Sequence, residues 1–403
     1  MARNPPSEQY QHTVNLWAAR IVPLVLVGIT GYSIWVVVYL IAVVYLLQPS
    51  SSESEQGIPA RPATAIAILV LYFLFLLPYL ISYLRILQVI QTNPGYIPKG
   101  PTSTKLQEKD EKPSLDHAAI LDGSISPPPG IEAFYVKDVF VCDSYGIPIY
   151  CSTCNCWKPD RTHHCSEVGR CVRRMDHFCP WVGGIVSETT MKYFLQFTFY
   201  ASLFCAFVFG VSIWAVVDRN RLTGGKKDGN WIAIAACAGF FGFMALGMLA
   251  TTLQTQSRNM TSIESLGASF YMAVHLPEGT EHPLDPDGRA HCGFITYPFR
   301  NCHSPLRPRK FAVILVKPTD NPWDVGTLEN LKSVLGSRIW QWFLPFGYPP
   351  CCFHKRGDSD FPLGKDFEML KREHYIPEGR RRKHRRKRSG QGSRRSSHGS
   401  ARS

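Results

Sequence analysis

The chain has 403 residues, a net charge of +13 and 45% hydrophobic residues, a length that could hold two or three soluble domains. The charge excess is local: eleven of the 44 Lys and Arg follow Gly379 with no acidic residue among them, which excludes a basic surface spread over the whole protein. The average hydrophobicity is equally misleading, because the apolar residues are gathered into long runs.

Residues 1–20 form a short polar N-terminus. Two apolar runs follow within residues 21–86, Ile21 to Leu47 and Ala65 to Ile86, and two more within residues 191–253, Tyr193 to Val217 and Trp231 to Leu253. Each reaches the ~20 residues needed to cross a hydrocarbon core. A buried core helix would keep a polar face, whereas IVPLVLVGITGYSIWVVVYLIAVVYLL has no charge at all. That first run is also too long for the apolar part of a signal peptide and is followed by no small-residue cleavage pattern. The expected fold class is an α-helical polytopic membrane protein with four transmembrane helices and a small zinc-binding, cysteine-rich cytosolic domain between helices two and three.

Between the second and third runs, residues 87–130 read as a flexible linker, with 99–130 rich in Lys, Asp, Ser and Pro and ending in SPPPG. Structure is expected to resume near Ile131, and residues 131–190 form the cysteine-rich domain. After the fourth run, residues 254–378 form a cytosolic C-terminal region and 379–403 a disordered basic tail. Three readings compete for the tail: a solvated segment, a clamp on anionic lipid worth ~1 kcal/mol per basic residue, or a nucleic-acid arm. Behind four spans, lipid is favoured over nucleic acid, and no nucleic-acid partner is expected.

The connection over 48–63 has one basic residue against two acids, while the 87–192 segment and the C-terminal part are rich in Lys and Arg. The positive-inside rule therefore places both termini and the cysteine-rich domain in the cytosol. Arg219, Arg221, Lys226 and Lys227 in the 218–230 loop point the other way, offset in part by Asp218 and Asp228. A reducing cytosol suits cysteines used for metal or catalysis.

The segment Cys151 to Trp181 holds six of the thirteen cysteines and three of the thirteen histidines. Cys151 and Cys154 form a CxxC knuckle, and His164 with Cys171 completes a Cys3His tetrahedron for zinc. The alternative is reduced cysteines packed in a small domain. Cys179 is not needed for that site and sits behind Asp176, His177 and Phe178, which makes it a candidate nucleophile.

The run Y-C-x2-C-x3-K-P-x-R-x-H-H-C-S followed by R-C-V-x2-M-D-H-x-C-P-W resembles the cysteine-rich domain of the DHHC-type protein S-acyltransferases. Thr92-Asn93-Pro94-Gly95, Thr261-Ser262-Ile263-Glu264 and NPWDVGTLENLKSVLG, with Asn330 at its key asparagine, resemble three further motifs of that family in the same order. The resemblance spans roughly residues 15 to 345. It implies that Cys179 attacks palmitoyl-CoA, holds the acyl group as a thioester and passes it to proteins with membrane-proximal cysteines. It also implies that zinc stays outside the reaction.

Departures from the pattern cluster at the site. The family signature is Asp-His-His-Cys with the second His as general base, and here that position is Phe178. By resemblance a second zinc would use Cys165, His177 and two more cysteines, but the latter positions are Val168 and Ile185, so one zinc is expected and two at most. With no second zinc, His177 becomes available as the base or as an imidazolium beside Cys179, with Asp176 adjacent and Arg173 and Arg174 adding charge. A structural remnant is the competing reading of His177. Thr261 or Ser262 is expected either to bond Asp176 or to cap a helix. Met191, Phe194 and Phe204 are candidate acyl-chain contacts, Gly239 and Gly242 candidate helix-packing positions, and Cys351 and Cys352 candidate acylation sites. Two functional readings result: an S-acyltransferase of an intracellular or plasma membrane, or a catalytically impaired scaffold or partner subunit of an active enzyme.

Overall fold

A computed structural model describes residues 6–49, 59–101, 115–223, 228–280, 287–288, 292–299, 307–354 and 358–377. The basic tail therefore lies outside the described residues. Four long helices dominate: α1 (Pro6–Ile34), which continues as a π-helical stretch over Trp35–Leu47, α2 (Pro62–Thr92), α3 (Met191–Thr223) and α4 (Gly229–Ser257). All four are long and apolar enough to cross a membrane, the first as Tyr10–Leu47, and the chain is an integral membrane protein. They pack into one bundle whose outer faces expose large apolar side chains such as Leu24, Leu74 and Phe243, as lipid-facing helices do.

Gly239 and Gly242 lie where α3 and α4 meet: a β-carbon at Gly242 would stand 3.0 Å from the Cys205 side chain, and one at Gly239 3.3 Å from the Phe209 ring. At one end of the bundle Arg61 and Tyr45 both bond Asp218, joining the α1–α2 connection to the end of α3. At the other end the N-terminal turns of α1 meet the cysteine-rich region, where Asn15 donates to Glu167 and a His12 ring nitrogen lies 3.2 Å from the Ser166 carbonyl.

The cysteine-rich region is a set of short hairpins, β2 (Tyr150–Cys151) with β3 (Cys156–Trp157), β4 (Thr162–Cys165) with β5 (Arg170–Arg173), and β6 (His177–Cys179) with β7 (Gly184–Val186). Strands this short cannot bury a core of their own, which is the situation a bound metal relieves. A four-stranded antiparallel sheet stands beside them in the order β1 (Val139–Cys142), β8 (Phe270–His275), β10 (Arg309–Val316), β9 (Gly293–Tyr297). One strand comes from before the cysteine cluster and three from after α4, so the regions 131–190 and 254–378 share a core rather than forming separate units.

The linker boundaries also shift. Residues 93–100 are docked on the hairpins, with Ile97 donating to the Cys171 carbonyl and Gly100 to that of Cys154. His117–Asp122 forms a helix capped by Asp116, and its Ile120 is buried beside Phe134, Phe140 and Tyr297. Order thus resumes before Ile131, because one apolar residue in a polar stretch reaches the sheet's core. Residues 102–114 are not among those described.

Candidate active site and metal centre

Cys151 ends β2, Cys154 lies in the turn after it, and His164 and Cys171 face each other across the β4–β5 pair. Their ligand atoms lie within 4.8 Å of one another, with His164 Nδ1 3.6 Å from Cys151 Sγ, 3.3 Å from Cys154 Sγ and 3.9 Å from Cys171 Sγ. Zinc bonds of about 2.3 Å to sulfur and about 2.0 Å to nitrogen put tetrahedral ligand atoms roughly 3.5 to 3.8 Å apart, so the cluster fits that ion. Among the described residues it is the one group of His, Cys, Asp and Glu able to hold a metal.

Cys165 does not belong to it. Its thiol donates to Glu167 at 3.1 Å, and its neighbours are Val172, Met175 and Ile185. Cys165 and His177, the two remaining members of the second metal site that the resemblance implies, lie on different sides of β6, because successive side chains of a strand point to opposite faces. In β6, Phe178 turns toward Val168, Ile185 and Cys165. His177 turns the other way, its ring 5.4 Å edge-on from Phe194 of α3, and Cys179 is buried in the main core. Phe178, not His177, occupies the corner nearest the vacated ligands.

His177 Nδ1 lies 2.7 Å from Asp176 Oδ2. Asp176 in turn accepts from the backbone N–H of Ser262 at 3.0 Å and from its hydroxyl at 2.8 Å. Burial raises the Asp176 carboxyl, but the hydrogen bonds from His177 and Ser262 outweigh it and hold the group below its usual range. Burial likewise opposes charge on His177, yet Asp176 and the neighbouring Cys179 prevail and the ring is raised to about 9. Nε2 of His177 is buried and makes no hydrogen bond, leaving it available to the thiol. The result is a line of hydrogen bonds from Ser262 through Asp176 to His177, with Cys179 two residues further along the same strand.

Both readings of the Thr261–Glu264 motif are realised, at different residues. Ser262 bonds Asp176, while Thr261 and Glu264 cap reciprocally, Thr261 N–H to Glu264 Oε2 at 2.8 Å and Glu264 N–H to Thr261 Oγ1 at 3.2 Å. Glu264 also receives Arg161, whose buried guanidinium lies between the Trp323 and Phe361 rings and bonds Asn259. Arg174 points away from Cys179, toward Gln256 and Asn259. Asn330 ties α5 (Thr327–Leu335) to the end of α4 by donating to the Ser257 carbonyl.

The β6–β7 hairpin is wedged between α1 and α2. A β-carbon at Gly184 would stand 2.5 Å from Ile90, and Gly183, at φ +68°, lies against the Ala19 carbonyl, so neither position accepts a side chain. This close approach places Cys179, 2% exposed, at an open apolar groove between α1, α3 and α4. Phe194 and Phe204 line it. Met191 is buried but lies in the first turn of α3, outside the lining. From Phe194 to Val208 the groove follows α3 for roughly 21 Å at 1.5 Å per residue, about two-thirds of a ~30 Å hydrocarbon core. The sequence offered no direct signal for the groove beyond the spacing of Phe194, Phe197, Ala201, Phe204 and Val208 on one helix face. A second, open cleft lies beside the motif after α4 and is lined by Lys158, Arg161, His163 and Lys317, by Glu264 and Asp320, and by Phe270 and Trp323.

Comparison with known proteins agrees with this geometry. The family model described as DHHC palmitoyltransferase matches residues 145–268. Palmitoyltransferase pfa5 of Aspergillus fumigatus is 34% identical over 412 residues, covering 89% of this chain and 90% of the relative. Palmitoyltransferase pfa5 of Emericella nidulans is 34% identical over 431 residues, covering 91% and 87%, and palmitoyltransferase PFA5 of Kluyveromyces lactis is 27% identical over 335 residues, covering 81% and 80%. With a relative of this identity matched along nearly its whole length, and with the cysteine-rich core matched by the family model, the chain belongs to the DHHC palmitoyltransferase family.

Proposed function

We propose that this protein is a protein S-acyltransferase that carries a palmitoyl-type group on Cys179 and delivers it to cysteines of membrane-proximal proteins. The observation that supports this most is the position of Cys179, with the Ser262–Asp176–His177 relay on one side and the open apolar groove on the other. The thiol proton of Cys179 rests on His177 Nε2 before the acyl donor reacts, as the raised proton affinity of the ring favours, and the thiolate facing that imidazolium attacks the acyl-CoA thioester carbonyl. The carbon–sulfur bond to CoA breaks, and the imidazolium returns its proton to the departing CoA thiolate. In the second half, His177 takes the proton of a substrate cysteine, that thiolate attacks the Cys179 thioester, and the Cys179 thiolate is released to recover the proton. Asp176, itself held by Ser262, keeps Nδ1 protonated and Nε2 toward the thiol.

The acyl chain occupies the groove past Phe194 and Phe204, where each CH2 taken from water contributes ~0.8 kcal/mol. The anionic head of CoA rests at the second cleft, whose Lys158 and Lys317 match its phosphates and whose Phe270 and Trp323 offer flat apolar surface. Zinc at Cys151, Cys154, His164 and Cys171 supplies cross-linking of the short hairpins and takes no part in acyl transfer. The hairpin end of the bundle, with both termini, faces the cytosol.

The test is incubation of the detergent-purified chain with an alkyne-tagged palmitoyl-CoA. Hydroxylamine-sensitive label that vanishes in Cys179→Ser is expected. Label equal to that of the Cys179→Ser variant would instead support the scaffold or partner-subunit reading.

A further inference from the structure

The face of β6 opposite the relay packs into a small apolar cluster of Val168, Val172, Met175, Phe178, Ile185 and Ile263. Three features make this cluster more than filler. Phe178 lies between His177 and Cys179 in the strand and pairs with Ile185 across the hairpin, so its seating fixes the direction in which both neighbours point. Ile263 adjoins Ser262, whose two hydrogen bonds hold Asp176, so the same cluster grips the other arm of the relay. And the one cysteine buried within it, Cys165, gives its hydrogen to Glu167, whose other oxygen accepts from Asn15 of α1. No set of ligands converges there.

We infer that this apolar plug does the positioning that a metal ion would do at the same place, so that the chain holds one structural metal and Phe178 is a positioning residue for His177 and Cys179. A phenyl ring at that position is then not a lost proton acceptor. It packs, half-buried, against the buried side chains of Val172, Met175 and Ile185, in a cluster where any change of volume is felt by the neighbours. The catalytic half of this statement rests on the acyl-transfer reading above, and the metal half does not.

Two measurements test it. Elemental analysis of the full-length, detergent-purified protein is expected to give one zinc per chain, and two would overturn the inference. In Val168→Cys/Phe178→His/Ile185→Cys, which with the native Cys165 presents four donors, a second zinc is expected, and a variant still holding one would overturn the assignment of the plug to a metal's place. Labelling of Cys179 by the tagged acyl-CoA is expected to slow about 100-fold in Phe178→Ala, the scale of a 1 Å misplacement. The pH dependence of labelling is expected to shift with it, and Phe178→Leu to restore most of the rate. Equal rates and an unmoved pH profile in Phe178→Ala would overturn the positioning role. Should the wild-type chain take no label, the acyl-transfer reading fails while the zinc counts still decide the plug.

Discussion

At His177 the two ring nitrogens have different surroundings, one 2.7 Å from a buried carboxylate and the other buried without a hydrogen bond beside a thiol. Because the folded ring is raised above 6.5 to about 9, its pairing with Asp176 contributes stability that is fully present below about 6.5 and is lost as pH rises through about 9. Thermal unfolding of the wild type and of His177→Gln should therefore differ most at the acidic end of that window and converge at the alkaline end. Ser262→Ala removes one of the two bonds that Ser262 gives Asp176. It should slow Cys179 labelling about tenfold without changing the zinc content, since loss of a hydrogen bond to a charged group costs about 1.5 kcal/mol.

Phe178 shows what could and could not be read at this scale. Cys179 as a candidate nucleophile and the four candidate metal ligands were named from residue type and spacing, whereas the pairing of Asp176 with Thr261 or Ser262 came from the family resemblance. Which of two adjacent side chains faces the thiol was not, because spacing in sequence carries no strand register. Only the hairpin pairing of Phe178 with Ile185 decides it.

Among the elements, the helices were the most legible, since an uninterrupted apolar run can only be a span. The four-stranded sheet was not legible, because its strands come from segments separated by two membrane helices and their pairing is set by contacts distant in the chain. The segment after the sheet is held to the start of α3 by His354, whose Nε2 lies 3.0 Å from the buried Glu188 carboxylate and whose Nδ1 lies 3.1 Å from the Asp360 carbonyl. Both partners are acceptors, so the ring satisfies both only as imidazolium. Burial lowers its affinity for that proton, but Glu188 outweighs burial and the ring is raised above its ordinary value. The clamp is thus complete at mildly acidic pH and loosens as pH rises through the folded value, and the protection factors for hydrogen exchange of residues 349–354 and 358–361, with the intrinsic pH dependence divided out, should fall in that direction. In Glu188→Gln that pH dependence should disappear. Asn330→Ala should cost about 1 to 3 kcal/mol, read in denaturation of the solubilised protein, because the Ser257 carbonyl and the Val325 N–H both lose their partner.

For the whole molecule, the structure brings the cysteine-rich hairpins and the region after α4 to one end of a membrane bundle. Each contributes something the others lack. The hairpins carry Cys179, the bundle supplies the groove, and the loop after α4 supplies Ser262. Chelation of the metal from Cys151, Cys154, His164 and Cys171 should therefore abolish labelling of Cys179 while leaving the helical content of the spans intact by circular dichroism, since those helices satisfy their own backbone hydrogen bonds.

In the proposed mechanism it is His177, held by Asp176 and Ser262, that drives chemistry at Cys179, with no need of a second histidine. The most direct test compares the rate of thioester formation on Cys179 in wild type and His177→Ala, with tagged palmitoyl-CoA and equal zinc content in both. Loss of label by at least about 100-fold is expected in His177→Ala, the scale of general acid–base catalysis. Thioester forming on Cys179 at an undiminished rate in His177→Ala would contradict it.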